Sequence, residues 1–110
     1  MVKVAGNRIH LGELAAQIAG IAGVLAAEAV SVPVEGGDPL LAVFVIPSPD
    51  TEPLSQQHLA AEAARRVPTY MLPRLIKVLP EYPLTSSGKP DRQSLREQAR
   101  QILLTDGKTA

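Results

Sequence analysis

At 110 residues the chain fits one domain with one modest core, and with only three aromatic residues that core must be built from Leu, Ile, Val and Ala. Eleven basic residues balance eleven acidic ones, so bulk charge gives no reason to expect nucleic acid or an anionic membrane as partner. Cysteine is absent, which excludes disulfides and thiolate metal sites, and no apolar run reaches the roughly 20 residues that span a bilayer. His10 and His58 stand far apart with no metal-ligand spacing between them, so no metal site is expected. The N-terminus lacks the ordered basic, apolar and small-residue regions of a secretory signal. A cytoplasmic domain is the expectation.

Val2 to Ile9 reads as a short hairpin around Gly6, which takes a positive backbone φ without penalty. Leu11, Leu14, Ile18, Ile21 and Leu25 recur at helical spacing, but Gly20 and Gly23 cut the pattern short. The expectation is a helix over 11–20 and a turn over 21–24. Val30, Val32 and Val34 alternate with Ser31 and Pro33, a strand with one buried face. Pro33 has no amide donor, so that strand lies at an edge or finishes there. Glu35 to Pro39 is a turn by composition, and Leu40 to Ile46 is a short continuous apolar run, as in a strand buried on both faces. The two strands are expected to pair antiparallel.

A polar connector, Pro47 to Pro53, leads to Ser55, which caps a helix running to about Arg66, where Pro68 stops it. Leu75 to Leu79 is a third strand candidate. Pro80 and Pro83 keep the chain extended up to the small-residue loop Thr85-Ser86-Ser87-Gly88. Asp91 caps a last helix with Leu95, Ala99, Ile102 and Leu103 on one side. Residues 1–104 form the domain and 105–110 a flexible tail. The fold class is α+β: a short, mostly antiparallel sheet of about three strands flanked by helices, with an N-terminal hairpin.

Three segments stand out in fixed order. They are Val2-Lys3-Val4-Ala5-Gly6-Asn7-Arg8-Ile9-His10-Leu11-Gly12-Glu13-Leu14, then Val67-Pro68-Thr69-Tyr70-Met71-Leu72-Pro73, then Pro83-Leu84-Thr85-Ser86-Ser87-Gly88-Lys89-Pro90-Asp91-Arg92. Together they resemble the last three signature motifs of the adenylate-forming superfamily, most closely the adenylation domains of nonribosomal peptide synthetases. Any one alone is weak; three in order over nearly the whole chain are specific. The chain departs from the pattern at Ala5, where a basic residue is usual, and at His10 and Ala15, where Glu is usual. Ser87 stands for Asn and Pro90 for a small apolar residue. The departures at 5, 10 and 15 bear on carrier or acceptor docking; the Gly, Lys, Asp and Arg of the third motif are intact.

The resemblance implies a small C-terminal subdomain that rotates between two steps. First a carboxylic acid and ATP give an acyl-adenylate and pyrophosphate; then the acyl group passes to a thiol, usually the phosphopantetheine arm of a carrier protein, sometimes coenzyme A. In that scheme Lys89 is the catalytic lysine, and Ser87, Gly88, Asp91 and Arg92 support its loop. Gly6 and Arg8 lie on the hairpin that faces pantetheine. The family's large N-terminal domain binds ATP and the acid, and its phosphate-binding loop has no counterpart here. The chain is therefore expected to act in trans with such a domain, or to be excised from a longer enzyme, and not to be active alone. ATP with Mg2+ and phosphopantetheine are expected only with that partner domain; the other expected partner is an acyl or peptidyl carrier protein. The alternative is a non-catalytic module that docks a carrier or a synthetase.

Each residue also has a bland reading. A lone Lys89 is a solvated loop lysine; the order of the motifs reverses that judgement. Gly6 fits ordinary turn chemistry equally well. Arg8 suits a surface hairpin, and Glu13 suits the positive N-terminus of its helix. Tyr70, Met71 and Pro73 read as core and turn, and Asp91 and Arg92 as structural. Arg65, Arg66, Arg74 and Lys77 form either a basic patch for an acidic carrier or a solvated face. His10 and His58 read as surface histidines.

Overall fold

The computed structural model describes residues 1–50 and 52–109, with side chains through Leu104. It opens with the antiparallel pair β1 (Val2–Val4) and β2 (Asn7–Ile9). Val4 pairs with Asn7, which leaves Ala5-Gly6 as a two-residue turn. Both turn residues have positive φ, 51° and 81°, as the tightest hairpin turns demand. Helix α1 (Leu11–Ala19) buries Leu14 and Ile18, four residues apart and so on one face. Gly20 then caps it, its amide donating to the Gln17 carbonyl at 3.3 Å, while the Ile21 amide donates to the Ile18 carbonyl at 3.0 Å.

A three-stranded sheet forms the centre, in the order β3 (Val24–Val32), β4 (Leu40–Pro47), β5 (Leu75–Val78). β3 and β4 are antiparallel, β4 and β5 parallel. β3 is an edge strand that stops at Val32, just before Pro33, for the reason a missing amide donor requires. It starts at Val24, earlier than the Val30-Val32-Val34 alternation indicates, and Val34 lies outside it. Leu25 to Ala29 contains Ala and Glu, which favour helices in isolation. Pairing against the long apolar β4 overrides that preference. The register shifts between Val24 and Ala26, so Leu25 is an extra, bulged residue, 62% exposed. Because side chains alternate along a strand, the bulge also moves Val24 to the opposite face from Ala26.

β4 divides its side chains between two apolar clusters. Leu41, Val43 and Val45 meet Leu14 and Ile18 of α1, Leu59 and Ala63 of α2 (Gln56–Arg66), and Ile9 of the hairpin. Ala42 and Phe44 meet Val30, Val32, Tyr82 and, from α3 (Arg92–Thr109), Leu95 and Ala99. Phe44, Ile9, Leu14, Ile18, Leu59 and Leu95 are each under 2% exposed, and burying such a side chain stabilises by about 2 kcal/mol. The sheet is thus a partition, with the hairpin, α1 and α2 on one side and α3 on the other.

Ser55 caps α2 as expected, its hydroxyl accepting from the His58 amide at 3.0 Å. A 3-10 turn at Thr69–Met71 follows Pro68, and Tyr70, Met71 and Leu72 pack against the first cluster. The connector over 47–53 includes Thr51, and the tail over 105–110 includes side chains beyond Leu104; both expectations reach outside the described residues. The α+β class, the N-terminal hairpin and the mostly antiparallel three-stranded sheet agree with the sequence.

Candidate functional site

Tyr82 begins the segment that carries the third motif. Its side chain is buried, and its hydroxyl donates to the Phe44 carbonyl at 2.9 Å. Burial first, and the negative charge of Glu28 second, push that hydroxyl's pKa up to about 12. Leu84 then bridges antiparallel to Pro90, closing a small hairpin. The Gly88 amide donates to the Thr85 carbonyl at 2.9 Å, and the Thr85 amide to the Lys89 carbonyl at 2.8 Å. With Gly88 at φ 84°, this is a tight turn followed by a left-handed residue, a common way to close a short hairpin. The Thr85 hydroxyl adds two bonds, one with the Ser87 hydroxyl at 3.0 Å and one from the Lys89 amide at 3.3 Å.

The sequence alone suggests that Ser86-Ser87-Gly88 supplies local freedom. The structure instead ties the loop by these bonds, because Thr85 can serve it with backbone and side chain at once. Lys89 is exposed at the start of the returning arm, and among the described residues its ammonium has no hydrogen-bond or ion-pair partner.

Past the loop, the Asp91 amide donates to the Pro83 carbonyl at 2.8 Å. Its carboxylate accepts from the Ser94 amide at 3.2 Å, the capping role its position indicates. Arg92, at the first turn of α3, lies 3.5 Å from the Glu28 carboxylate on β3. Glu28, Thr85, Ser87, Lys89, Pro90 and Arg92 line one open cleft. Ser87, Lys89 and Arg92 are therefore brought together there, while Gly88 and Asp91 adjoin them along the chain without lining the cleft.

Gly6 and Arg8 are not part of that cleft. Both are exposed on the β1–β2 hairpin, whose Val2, Val4 and Ile9 pack on the other side of the sheet. A side chain at Gly6 would meet nothing within 4 Å, so within this chain the glycine answers to φ alone. The Asp38 carboxylate accepts from the Ala5 amide at 3.0 Å and fastens the hairpin tip to the β3–β4 connection. Arg65 and Arg66, half of the possible basic patch, are paired with Glu62 at 3.4 and 3.8 Å. His10 and His58 are exposed, and among the described residues no group of three or more His, Cys, Asp or Glu is placed to hold a metal. Nor is any helix among them long and apolar enough to cross a membrane.

The motif reading missed Glu28, Tyr82 and Asp38. Of these only Glu28 left a trace in the sequence, as a lone charge among Val24 to Val32. The other two act through single bonds to distant backbone, which no local pattern announces.

The family model for the AMP-binding enzyme C-terminal domain matches residues 13–89, ending on Lys89. Surfactin synthase subunit 1 of Bacillus subtilis (strain 168) is 39% identical over 94 residues, covering 86% of this chain and 3% of that protein. A dimodular nonribosomal peptide synthase of the same organism is 38% identical over 94 residues, 86% of this chain and 4% of its own length. The chain thus spans only a small part of these curated relatives. Among solved structures, IdnL1 matches at 43% identity with a TM-score of 0.65, over 74% of this chain and 16% of its own. Motif order, sheet topology and these matches agree: the chain belongs to the AMP-binding enzyme C-terminal domain family, as an adenylation-domain C-terminal subdomain of the nonribosomal peptide synthetase type.

Proposed function

We propose that this subdomain serves a large ATP-binding domain in a two-step reaction, supplying Lys89 to the first step and the β1–β2 hairpin to the second. The observation that carries the reading is the placement of the two motifs on opposite sides of the sheet. No single docked pose presents both to one site, so each belongs to a different pose and a different step.

In the first step a carboxylate oxygen bonds to the α-phosphorus of ATP as the bond to pyrophosphate breaks. Two anionic groups must approach while negative charge moves onto the leaving pyrophosphate. An ammonium held between them lowers that barrier electrostatically. Lysine suits the task as a compact charge on a long stem. The tied hairpin adds preorganisation, because the whole subdomain moves and the loop travels with it. Ser87 and Gly88 shape the turn, while Asp91 and Arg92 fix its base to α3 and β3.

In the second step a thiol sulfur attacks the acyl carbon and AMP leaves. Gly6, with open space where a side chain would project, lets backbone lie close to a thin phosphopantetheine arm. Arg8 is exposed beside it. The acceptor is the phosphopantetheine thiol of an acyl or peptidyl carrier protein, and the setting is cytoplasmic biosynthesis, where ATP is supplied. ATP with Mg2+ and the acid are held by the large domain.

The test is reconstitution. The chain replaces the C-terminal subdomain of an adenylation unit from surfactin synthase subunit 1, and pyrophosphate release is followed with that unit's own amino acid. Activity well above that of the large domain alone supports the reading. If the chimera binds its carrier yet releases no pyrophosphate above background, the chain is a docking module instead.

A further inference from the structure

Residues 82–92 leave the sheet and return to it at a single rung. Glu28 of β3 and Phe44 of β4 are direct partners in the antiparallel register. Tyr82, where the segment starts, donates to the Phe44 carbonyl at 2.9 Å. Arg92, where it ends, pairs with the Glu28 carboxylate at 3.5 Å. The Lys89 hairpin is thus held at both ends by one pair of neighbouring residues. Glu28 is the unusual member. Ala26, Val30 and Val32 share its face of β3 and pack in the second apolar cluster. A carboxylate in that row, with its side chain only 17% exposed, loses hydration that an apolar residue would not lose. Packing alone gives no reason for it, whereas a partner for Arg92 does.

We infer that Glu28 is a positioning residue, which acts through Arg92 to fix the direction in which the Lys89 hairpin leaves the sheet. The inference rests on the proposed role of Lys89 only for its effect on rate. Its effect on loop order stands independently.

Two arms separate the two. In the 110-residue chain, amide hydrogen exchange reports the order of the loop through Thr85, Gly88, Lys89 and Asp91. Glu28→Gln keeps the size and removes the charge, so it should speed exchange at these four by roughly three- to fivefold. The amides of Val43 and Val45 in the central strand should not change. Arg92 is 68% exposed, so Arg92→Gln leaves the core intact and should reproduce the effect. The reversed pair, Glu28→Arg with Arg92→Glu, should restore protection.

In the reconstituted enzyme, either single variant should lower kcat for pyrophosphate release by roughly tenfold, with KM for ATP and the acid unchanged. Transfer from a preformed acyl-adenylate should be spared, since that step uses the other side of the sheet. Unchanged exchange in Arg92→Gln overturns the inference, as does equal damage to both steps. Should Lys89→Ala leave pyrophosphate release intact while the exchange result holds, the role of Lys89 is wrong and the positioning by Glu28 stands.

Discussion

Gly88 shows how much one backbone angle carries. It sits at φ 84°, and a Cβ added there would meet no atom within 4 Å. Gly88→Ala therefore has no steric clash with neighbours, only the left-handed penalty of about 1–2 kcal/mol. Thermal unfolding should register that loss, and Gly88→Asn should lose less, because Asn tolerates this region better. Tyr82 has a pH signature. Its hydroxyl titrates near 12 when folded and near 10 when unfolded. Between those values the unfolded chain has already given up a proton that the folded chain keeps. The contribution of Tyr82 to stability should be constant well below pH 10 and fall between pH 10 and 12. Tyr82→Phe should lower stability by about 1 kcal/mol at neutral pH and make the fall above pH 10 shallower in urea titrations at stepped pH. Gly88 and Asp91 are legible in the sequence because the turn and the cap depend on residue type. Glu28 and Tyr82 are not, since their roles depend on which strands become neighbours.

At the scale of elements, α3 links the core to the loop. Leu95, fully buried, seats its first turns on Phe44 and Val30, and Asp91 caps its start. Leu95→Ala should cost about 2–5 kcal/mol. Chemical denaturation would measure it, and loop amides should lose protection along with the helix. The helices α1 and α2 were readable from spacing and capping residues, and β4 from its unbroken apolar run. β3 was half-read. Its second part alternates, but Leu25 to Ala29 carries no strand signal, and the bulge at Leu25 breaks the parity that would reveal one. The parallel pairing of β5 was also beyond the sequence, because four residues of strand do not state their direction.

Over the whole molecule, the sheet separates the two surfaces that carry the first and third motifs. The hairpin is fastened by Asp38 on one side, and the Lys89 loop is held by the Glu28–Phe44 rung on the other. Motif order in the sequence pointed to both surfaces, yet not to their opposition, which emerges only when β4 sends alternate side chains to two cores. Under the proposed function, that opposition makes a sharp kinetic demand. Each half-reaction should depend on one surface and ignore the other. The direct measurement is single-turnover kinetics of Lys89→Ala in the reconstituted enzyme, with pyrophosphate release and acyl transfer from preformed adenylate timed separately. Pyrophosphate release should slow by roughly 100- to 1,000-fold, while acyl transfer keeps its rate. Unaltered pyrophosphate release, or equal slowing of both steps, would contradict the assignment of Lys89 to the first.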